Sequence, residues 1–571
     1  MLYNHFSKIL NKLSSNKQIG LIIVIGLIIR IVALPFVHTT NADAVSRIII
    51  AYKWLQNPYF TISDVWLPLH HYLNAFIIWV SGGDLIYSLK ILQILFAVAT
   101  AIPLYKFTLN EFKTTEGAFF VSLTYLFIPI VVRNSFQVLS GIPSAFFIAA
   151  SMYFLSQGKK LDKPIKYGVL AGLSMTIAGG IRYEAWLLIA VFTLVLLLQK
   201  QWKMVLFFWV FAMIFPFFWM TGGYIVHGDL FYGSHGAYRW NITMMGGNDN
   251  FNWRMLCWRL VYFPITYGIL MTPLITIATL YYTIKSVKKR EPEMSIIWWL
   301  LPFVVLMIAF IYKAVNGTLL LQPRFVILLL ITSIPFYALV FMNKDHLKAK
   351  KIIAWAIIIL ILPYSYLGAR NIQAFPRIKD KTTLDLLKII HNEVDKNGTQ
   401  SLILDFIGWD NTYFIWLRSG VAPDNIFIVN GAKYGKVNAS ELAKKIEKNK
   451  TGIIVKKNES KMDEYFHFLN DTVLEVRKVA NYLYLKPIII NSRITLYKYK
   501  SGDKAPLIFY SDRKLLKVNE NAIHQIEERI KANTQQYNSM IHEAEIRGIE
   551  IDTLIRISAI NLYKQKLKKT H

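Results

Sequence analysis

The chain has 571 residues, of which 54% are hydrophobic and only 17% are charged, and its formal net charge is +29. That apolar content exceeds the ordinary balance of a soluble domain. The basic residues largely fill short gaps between apolar runs and a C-terminal region, which favours a membrane topology over a nucleic-acid surface, so nucleic acid is not an expected partner. A single cysteine, Cys257, excludes an intramolecular disulfide.

Long apolar runs predict membrane-spanning helices, because backbone groups inside a bilayer must bond within their own segment. The first run, 18–37, contains Arg30 and is longer than a signal-peptide core, so we predict a retained first span. Six short Lys- and Arg-rich segments follow one another along the chain, and short basic loops stay cytoplasmic. Keeping all six inside predicts eleven spans, at 18–37, 85–105, 116–132, 141–156, 166–180, 185–199, 202–225, 259–284, 295–313, 324–342 and 350–368.

The segment 67–81 is apolar enough for a twelfth crossing, which would move every later basic loop outside. Its short length and its paired His70 and His71 predict instead a helix in the outer interface. The outward loop 38–84 then carries interfacial helices. The scheme places the N-terminus in the cytoplasm and everything after residue 368 outside the cell (inner) membrane. The other outward segments are 133–140, 181–184, 226–258 and 313–323.

The chain after Arg370 has the pattern of a small extracytoplasmic α/β domain, 370–502. Strands are predicted at 401–406, 425–429, 452–455 and 494–499, alternating with helices at 382–394, 439–448 and 460–470. The tail 503–571 predicts two or three amphipathic helices with a break at Gly548, packed against that domain or forming a separate partner-binding module. The predicted fold class is therefore mainly α: a multi-pass helical bundle over 1–369, followed by this domain and tail.

Asp43 is the first residue of chemical interest, in the segment Asn41-Ala42-Asp43-Ala44 just outside the first span. The following residues place Val45, Ile48 and Ile49 on one helical face, so this helix is expected to lie along the membrane. Taken alone, Asp43 fits a helix N-cap, a position where aspartate is preferred.

Further along the same loop, Trp66-Leu67-Pro68-Leu69-His70 leads into the interfacial helix. An acidic residue after the first span, an amphipathic helix and an aromatic-x-Pro-Leu segment together resemble GT-C glycosyltransferases of the polyprenyl-phosphate-sugar type, such as protein O-mannosyltransferases and lipid A aminoarabinose transferases. Arg182-Tyr183-Glu184-Ala185-Trp186 and Gly228-Asp229-Leu230-Phe231-Tyr232 are similar to features of that family. The resemblance covers roughly the first 370 residues.

The resemblance implies that Asp43 is the general base toward the acceptor hydroxyl, in place of a cap. A lipid-phosphate leaving group needs cationic stabilisation, for which Arg182, His70, His71 and Arg324 are the candidates. Two of these residues have an alternative interpretation: Arg324 could be an anchor at the membrane interface, and Arg182 could form a structural ion pair with Glu184. The two histidines are chain neighbours, so at most one is expected to reach the site.

The sequence departs from the family at the start of the fourth span, where a second acidic residue is usual and 133–151 contains none. Either Glu184 is the second acid, or one carboxylate suffices, or the chain is inactive or divergent. The same absence leaves a divalent metal unsupported, and no cofactor or metal site is predicted. Aromatic and polar residues of the loop 226–258 form a hypothetical acceptor- or sugar-binding surface, which includes Tyr232, His235, Tyr238 and Arg239.

These features favour a membrane glycosyltransferase of the cell envelope, a hexosyltransferase that moves a sugar from a polyprenyl-phosphate donor to a lipid, glycan or protein acceptor. A transporter or flippase of a lipid-linked saccharide is the first alternative, although it would place ionisable residues mid-span or show repeated broken helices. The second alternative is a catalytically inactive membrane scaffold, consistent with the missing second carboxylate.

Overall fold

A computed structural model gives the architecture of the chain. The described residues are 10, 12–37, 41–59, 65–245, 252–289, 294–342, 354, 363, 381–397, 401–429, 442, 446, 449–457, 466–470, 473–476, 482–489, 494–502, 508–511, 514–517, 520–547 and 550–569. They divide into two compact units. The first unit comprises Met1–Thr39 and Arg47–Arg377, and the second comprises Thr40–Ser46 and Ile378–His571.

The first unit is helical throughout its described part. Its helices, together with α2, whose first turn belongs to the second unit, are α1 Ser15–Ala33, α2 Ala42–Gln56, α3 Leu69–Val80, α4 Tyr87–Ala99, α5 Ala101–Phe112, α6 Thr115–Phe127, α7 Pro129–Asn134, α8 Gly141–Lys160, α9 Pro164–Ile181, α10 Glu184–Leu198, α11 Trp202–Ala212, α12 Ile214–His227, α13 Tyr232–Met245, α14 Trp253–Leu270, α15 Pro273–Lys289, α16 Met294–Ile297, α17 Leu301–Val315, α18 Val326–Ser333 and α19 Leu339–Met342.

Five helical stretches of the described chain are long and apolar enough to cross a membrane: Ser15–Phe36, Tyr87–Phe112, Trp202–His227, Trp298–Val315 and Pro323–Met342. They confirm the predicted membrane protein. Helix α3 has 12 residues, which at helical rise extend about 18 Å, short of a bilayer core of roughly 30 Å. The total of eleven spans stays a prediction, and the span 350–368 lies outside the described residues except for two positions.

One predicted span has a different shape. The run 259–284 was expected to be a single helix, but α14 and α15 are bent by 103° at a short break. Thr272 adopts a left-handed φ of 68° there, and Pro273 has no N–H with which to continue the preceding helix. The straight span is therefore wrong, and the two helices form either a broken span or a re-entrant pair.

The one charge predicted inside the first span has its partners within the bundle. Arg30 is buried, and its Nε donates to Ser135 Oγ at 2.9 Å, while its Nη2 donates to the carbonyl oxygen of Leu126 at 2.7 Å. Hydrogen bonds of this kind offset the cost of holding a guanidinium at membrane depth. Arg30 therefore ties the first span to the chain around α6 and α7.

The second unit is built on a seven-stranded sheet in the order β2-β1-β3-β7-β6-β5-β4, parallel among β2, β1 and β3 and antiparallel beyond β3. Its buried apolar strands form the core, which explains why they are readable as hydrophobic runs. The elements are α20 Lys381–Asn397, β1 Ser401–Asp405, α21 Trp409–Arg418, β2 Ile426–Val429, β3 Thr451–Lys457, β4 Phe466–Asn470, β5 Val473–Val476, β6 Tyr482–Ile489 and β7 Ile494–Gly502.

Several predictions for this region need correction. The four predicted strands are present, but the helix predicted at 460–470 is wrong over its described part, which is β4. The sequence also missed α21, β5 and β6. Phe466 and Phe468 alternate, and they pair with β5 in a hairpin, so contact with the neighbouring strand overrides the local helical pattern. The helix predicted at 439–448 lies outside the described residues except for two positions.

The tail begins with a hairpin that the sequence did not predict, β8 Ile508–Ser511 and β9 Lys514–Lys517, and continues as three helices, α22 Glu520–Ala532, α23 Thr534–Arg547 and α24 Ile551–Lys569. The three helices bury apolar side chains such as Ile523, Met540 and Leu554 in one cluster. The tail thus has a core of its own, while its packing against the α/β domain stays a prediction. Gly548 lies outside the described residues.

Candidate functional site

In the first unit, the candidate site lies where the end of α9 packs closely against the beginning of α3. A Cβ atom on Gly180 would overlap the side chain of Leu69. Glycine at this position therefore permits a contact that a larger residue would prevent. It brings the first turn of α3, which carries His70 and His71, beside Arg182, the residue that follows α9.

Two histidines and two arginines form a buried group here, which we call the basic cluster: Arg47, His70, His71 and Arg182. The guanidinium of Arg47 lies 4.3 Å from the centre of the Trp66 ring, whose centre lies 5.8 Å from that of His71. His70 is fully buried, with its Nδ1 3.3 Å from Asn74 Nδ2 and its Nε2 3.5 Å from Gln93 Nε2.

The histidines of the basic cluster are neutral at pH 7. Burial, followed by the charge of Arg47, lowers the pKa of His71 to about 3. Burial also holds the pKa of His70 well below its ordinary value, with further contributions from Arg47, His71 and Arg182. The positive charge of the cluster therefore comes from its arginines, and the histidines expected to be cationic are neutral.

Arg182 is engaged in an ion pair with Glu184. Its Nε donates to Glu184 Oε2 at 3.1 Å, its Nη2 donates to Oε1, and its Nη1 lies 3.4 Å from Ser140 Oγ. The side chains are 10% and 21% exposed. The structural pair considered from the sequence is thus formed, and it holds the guanidinium plane in a fixed orientation.

Two more cations adjoin this pair. The guanidinium groups of Arg182 and Arg324 lie 5.3 and 5.6 Å from the centre of the same ring, Phe325, and the charge of Lys313 reaches Glu184. Glu184 therefore has two cations acting on it, Arg182 and Lys313, and Arg324 shares the Phe325 ring with Arg182. Cationic side chains gathered in this way favour an anion nearby.

Asp43 lies in the second unit, in the first turn of α2. The side chain of the preceding Asn41 accepts the Asp43 N–H at 2.9 Å, and its carbonyl accepts those of Ala44 and Val45. Asn41 is therefore the N-cap, and the reading of Asp43 as the cap is wrong. The Ala42 N–H donates to Asp410 Oδ1 at 3.0 Å.

The loop residues proposed to bind sugar or acceptor form a second, exposed group. His235 Nδ1 lies 2.8 Å from Asp229 Oδ2, and this hydrogen bond is the main cause that lowers the pKa of Asp229. Tyr232 stacks on His227 with ring centres 3.7 Å apart. Tyr238 and Arg239 follow on the same helix, α13. An aromatic face beside polar edges suits a sugar ring.

Some residues of the site were not found from the sequence. Arg47 follows Asp43 by one helical turn on a largely buried helix, which is the signal that could have identified it. Asn74 lies one helical turn after His70 on α3, a spacing that could also have pointed to it, whereas Gln93 and Asp410 carried no such signal because their partners lie on other elements. Within the described ranges, no group of three His, Cys, Asp or Glu side chains could hold a metal ion.

No protein-family model and no curated protein sequence matches the chain. Solved structures do match it. ArnT from Cupriavidus metallidurans bound to undecaprenyl phosphate superposes with a TM-score of 0.58 at 11% identity, over 85% of this chain and 98% of that one. The apo state of the same protein gives 0.54 over the same shares.

Two further neighbours are less similar. The apo oligosaccharyltransferase of Archaeoglobus fulgidus gives a TM-score of 0.48 at 14% identity, over 78% of this chain and 70% of that one. The Pmt1-Pmt2 complex of S. cerevisiae, bound to the sugar donor, gives 0.32 at 19% identity, over 38% and 34%. The likeness to ArnT confirms the resemblance expected from the sequence: the chain has the fold of the GT-C glycosyltransferases.

Proposed function

We propose that the chain is a membrane glycosyltransferase that moves a sugar from a polyprenyl-phosphate donor to an acceptor hydroxyl on the extracytoplasmic face. The observation that carries this proposal is the basic cluster, with its adjoining cations, in a chain of GT-C fold. Arg47 is buried and the Arg182 side chain is 10% exposed, and guanidinium groups in such surroundings bind phosphate oxygens well. The structure of ArnT was obtained with undecaprenyl phosphate bound, which supports a lipid phosphate as that anion here.

In this mechanism the acceptor oxygen attacks the anomeric carbon of the donor sugar, and Asp43 takes the proton of the acceptor hydroxyl as the new C–O bond forms. The bond between the anomeric carbon and the phosphate oxygen breaks, and its electron pair stays on the phosphate. Arg182 and Arg324, with Arg47 from α2, stabilise that negative charge. Glu184 orients Arg182, and this role competes with its use as a second acid.

The residues around His235 and Tyr238 on α13 are proposed to contact the sugar or the acceptor, which is a lipid, a glycan or a protein.

The buried charged residues of the first helices support a flippase less well than a transferase. Arg30 and Lys90 both bond to backbone carbonyls, Lys90 to that of Val37 at 2.9 Å. Side chains held in this way suit structural roles better than a moving substrate path.

Asp43→Asn tests the proposal. Because Asn41 caps the helix, the variant should insert and fold normally, while transfer should fall on the order of 10²–10⁴-fold through loss of the base. Radiolabelled polyprenyl-phosphate hexoses are incubated with purified protein and extracts of a strain that lacks it, and labelled product is measured. Polyprenyl-phosphate binding should not change, since the carboxylate acts on the acceptor.

Asp84→Asn is the matched control in the same outward loop. Asp84 Oδ1 accepts the Ile86 N–H at 2.9 Å and Oδ2 accepts that of Ser88 at 2.6 Å; asparagine keeps one acceptor oxygen and much of this capping, so the transfer rate of Asp84→Asn should stay at the wild-type value. Wild-type transfer by Asp43→Asn would remove Asp43 from the mechanism. Loss of expression together with activity would show that the segment needs this carboxylate to fold.

A further inference from the structure

The first turn of α2 is held by a residue that lies 368 positions away in the chain. The N–H of Ala42 points to Asp410 Oδ1 at 3.0 Å, directly beside Asp43 in sequence. The first N–H groups of a helix have no partner within the helix. The side chain of Asn41 accepts the N–H of Asp43, and the side chain of Asp410 accepts the N–H of Ala42.

The loop that leads into α21, whose first turn carries Asp410, is held by several hydrogen bonds. It follows β1, the strand between β2 and β3. Asp405 at the end of β1 accepts the N–H of Phe406 at 2.8 Å and that of Lys457 at 3.0 Å. The Ile407 N–H donates to Thr412 Oγ1 at 3.0 Å. These bonds fix the loop between the sheet and α21 on both sides of Asp410.

Gly408 gives this loop its turn. Its φ of 111° lies in a region that other residues rarely adopt, and the Thr412 N–H donates to its carbonyl at 3.0 Å. The turn places Asp410 in the first turn of α21. A carboxylate there is favoured by the dipole of its own helix and by that of α2, whose N–H it accepts. Asp410 is therefore well suited to hold the start of α2.

We propose that Asp410 is a positioning residue for Asp43, so that the extramembrane domain sets the orientation of the proposed base. The inference rests on the proposed function, in which Asp43 takes the acceptor proton. Asp410 acts through a hydrogen bond only: its Oδ1 accepts the Ala42 N–H and so fixes the first turn of α2. Asp43 alone exchanges a proton with the substrate. Small displacements of a reacting group can lower the rate by up to about 100-fold.

Three variants test the inference. Asp410→Ala removes the acceptor oxygen, Asp410→Asn keeps one, and Asp385→Ala is the control, since its surface pair with Lys388 spans 3.9 Å and contributes little. Hydrogen exchange of the peptide 41–47 and transfer kinetics with radiolabelled polyprenyl-phosphate hexoses are measured on the full chain. Asp410→Ala should speed the exchange and lower kcat roughly 10- to 100-fold, with donor KM unchanged, and Asp410→Asn should restore most of both.

The double variant Asp43→Asn with Asp410→Ala separates positioning from a general structural role. Because Asp410 acts through Asp43, the double variant should transfer no more slowly than Asp43→Asn alone. A multiplied loss, or wild-type exchange and kcat in Asp410→Ala, would overturn the inference. If Asp410→Ala does not fold, Gly408→Ala takes its place, because it strains the turn that leads to Asp410. Gly408→Ala should then lower kcat, and an unchanged kcat in this variant would count against the inference.

The two proposals fail in different ways. Wild-type transfer by Asp43→Asn refutes the proposed function, and the exchange of the peptide 41–47 then still decides whether Asp410 holds α2. An inactive Asp43→Asn beside a fully active, fully protected Asp410→Ala refutes the positioning role alone.

Discussion

Replacing Arg182 with lysine separates a phosphate-binding role from a purely structural one. Arginine now contacts Glu184 through two nitrogens and approaches Ser140 with a third. Lysine keeps the charge on a single ammonium group, so it retains one contact to the carboxylate and loses the planar fork. A hydrogen bond to a charged group contributes about 1.5–3 kcal/mol. Because Glu184 is 21% exposed, the decrease in the free energy of unfolding should lie near the lower end of that range.

Lipid binding adds the decisive measurement. If the fork also grips the donor phosphate, Arg182→Lys loses one charge-assisted bond to it, and affinity for polyprenyl phosphate should fall about tenfold. Thermal unfolding in detergent over a series of polyprenyl-phosphate concentrations gives the dissociation constant, because a ligand that binds only the folded state raises its stability. Arg254→Lys, at an exposed arginine of α14, is the matched control and should change neither quantity.

The reasoning is refuted if Arg182→Lys lowers the unfolding temperature but leaves the dissociation constant unchanged. Glu184→Gln gives a second check. It removes the carboxylate that occupies the fork, so a phosphate-binding Arg182 should bind polyprenyl phosphate at least as tightly as before. A purely structural pair should instead show only destabilisation, on the order of 3–5 kcal/mol for a guanidinium left buried without its partner.

Three further predictions concern pH, topology and packing. Burial lowers the pKa of His71 to about 3, so between there and an ordinary value near 6.5 the unfolded chain binds a proton that the folded chain does not. The stability that this group contributes is complete above that window and is lost as the pH decreases through it, by about 2 kcal/mol at pH 5. The free energy of unfolding, measured by denaturation at pH 5 and at pH 7.5, should therefore differ less between the two pH values in His71→Gln than in the wild type. A reporter active only outside the cytoplasm should be on when fused after the last residue; a silent reporter, with a cytoplasmic one active there, would mean that the segment 67–81 crosses the membrane. Gly180→Ala should push Leu69 away and weaken polyprenyl-phosphate binding, whereas Gly20→Ala, which meets no neighbour within 4 Å, should not; equal affinities would show that the approach of α3 to α9 does not shape the site.

The sequence was most informative where one local pattern decides the structure. Uninterrupted apolar runs become helices because a bilayer leaves no other partner for the backbone, and the strands of the parallel part of the sheet are readable because they are buried on both faces. Asp43 and Arg182 could be selected from short motifs, since those motifs accompany a fold that the structure confirms. The sequence by itself thus determined the membrane class, predicted the GT-C fold through its resemblance to that family, and supplied Asp43 and Arg182 as candidates for the site.

Only the tertiary structure decided how these residues are held. Whether Asp43 or Asn41 caps α2, and whether Arg182 is paired, depends on atom positions that residue spacing leaves open. The neutrality of His70 and His71 follows from their burial beside arginines of other elements. The hydrogen bond from Ala42 to Asp410 joins residues 368 positions apart, and no local pattern specifies such a contact, because it forms only when distant parts of the chain fold together.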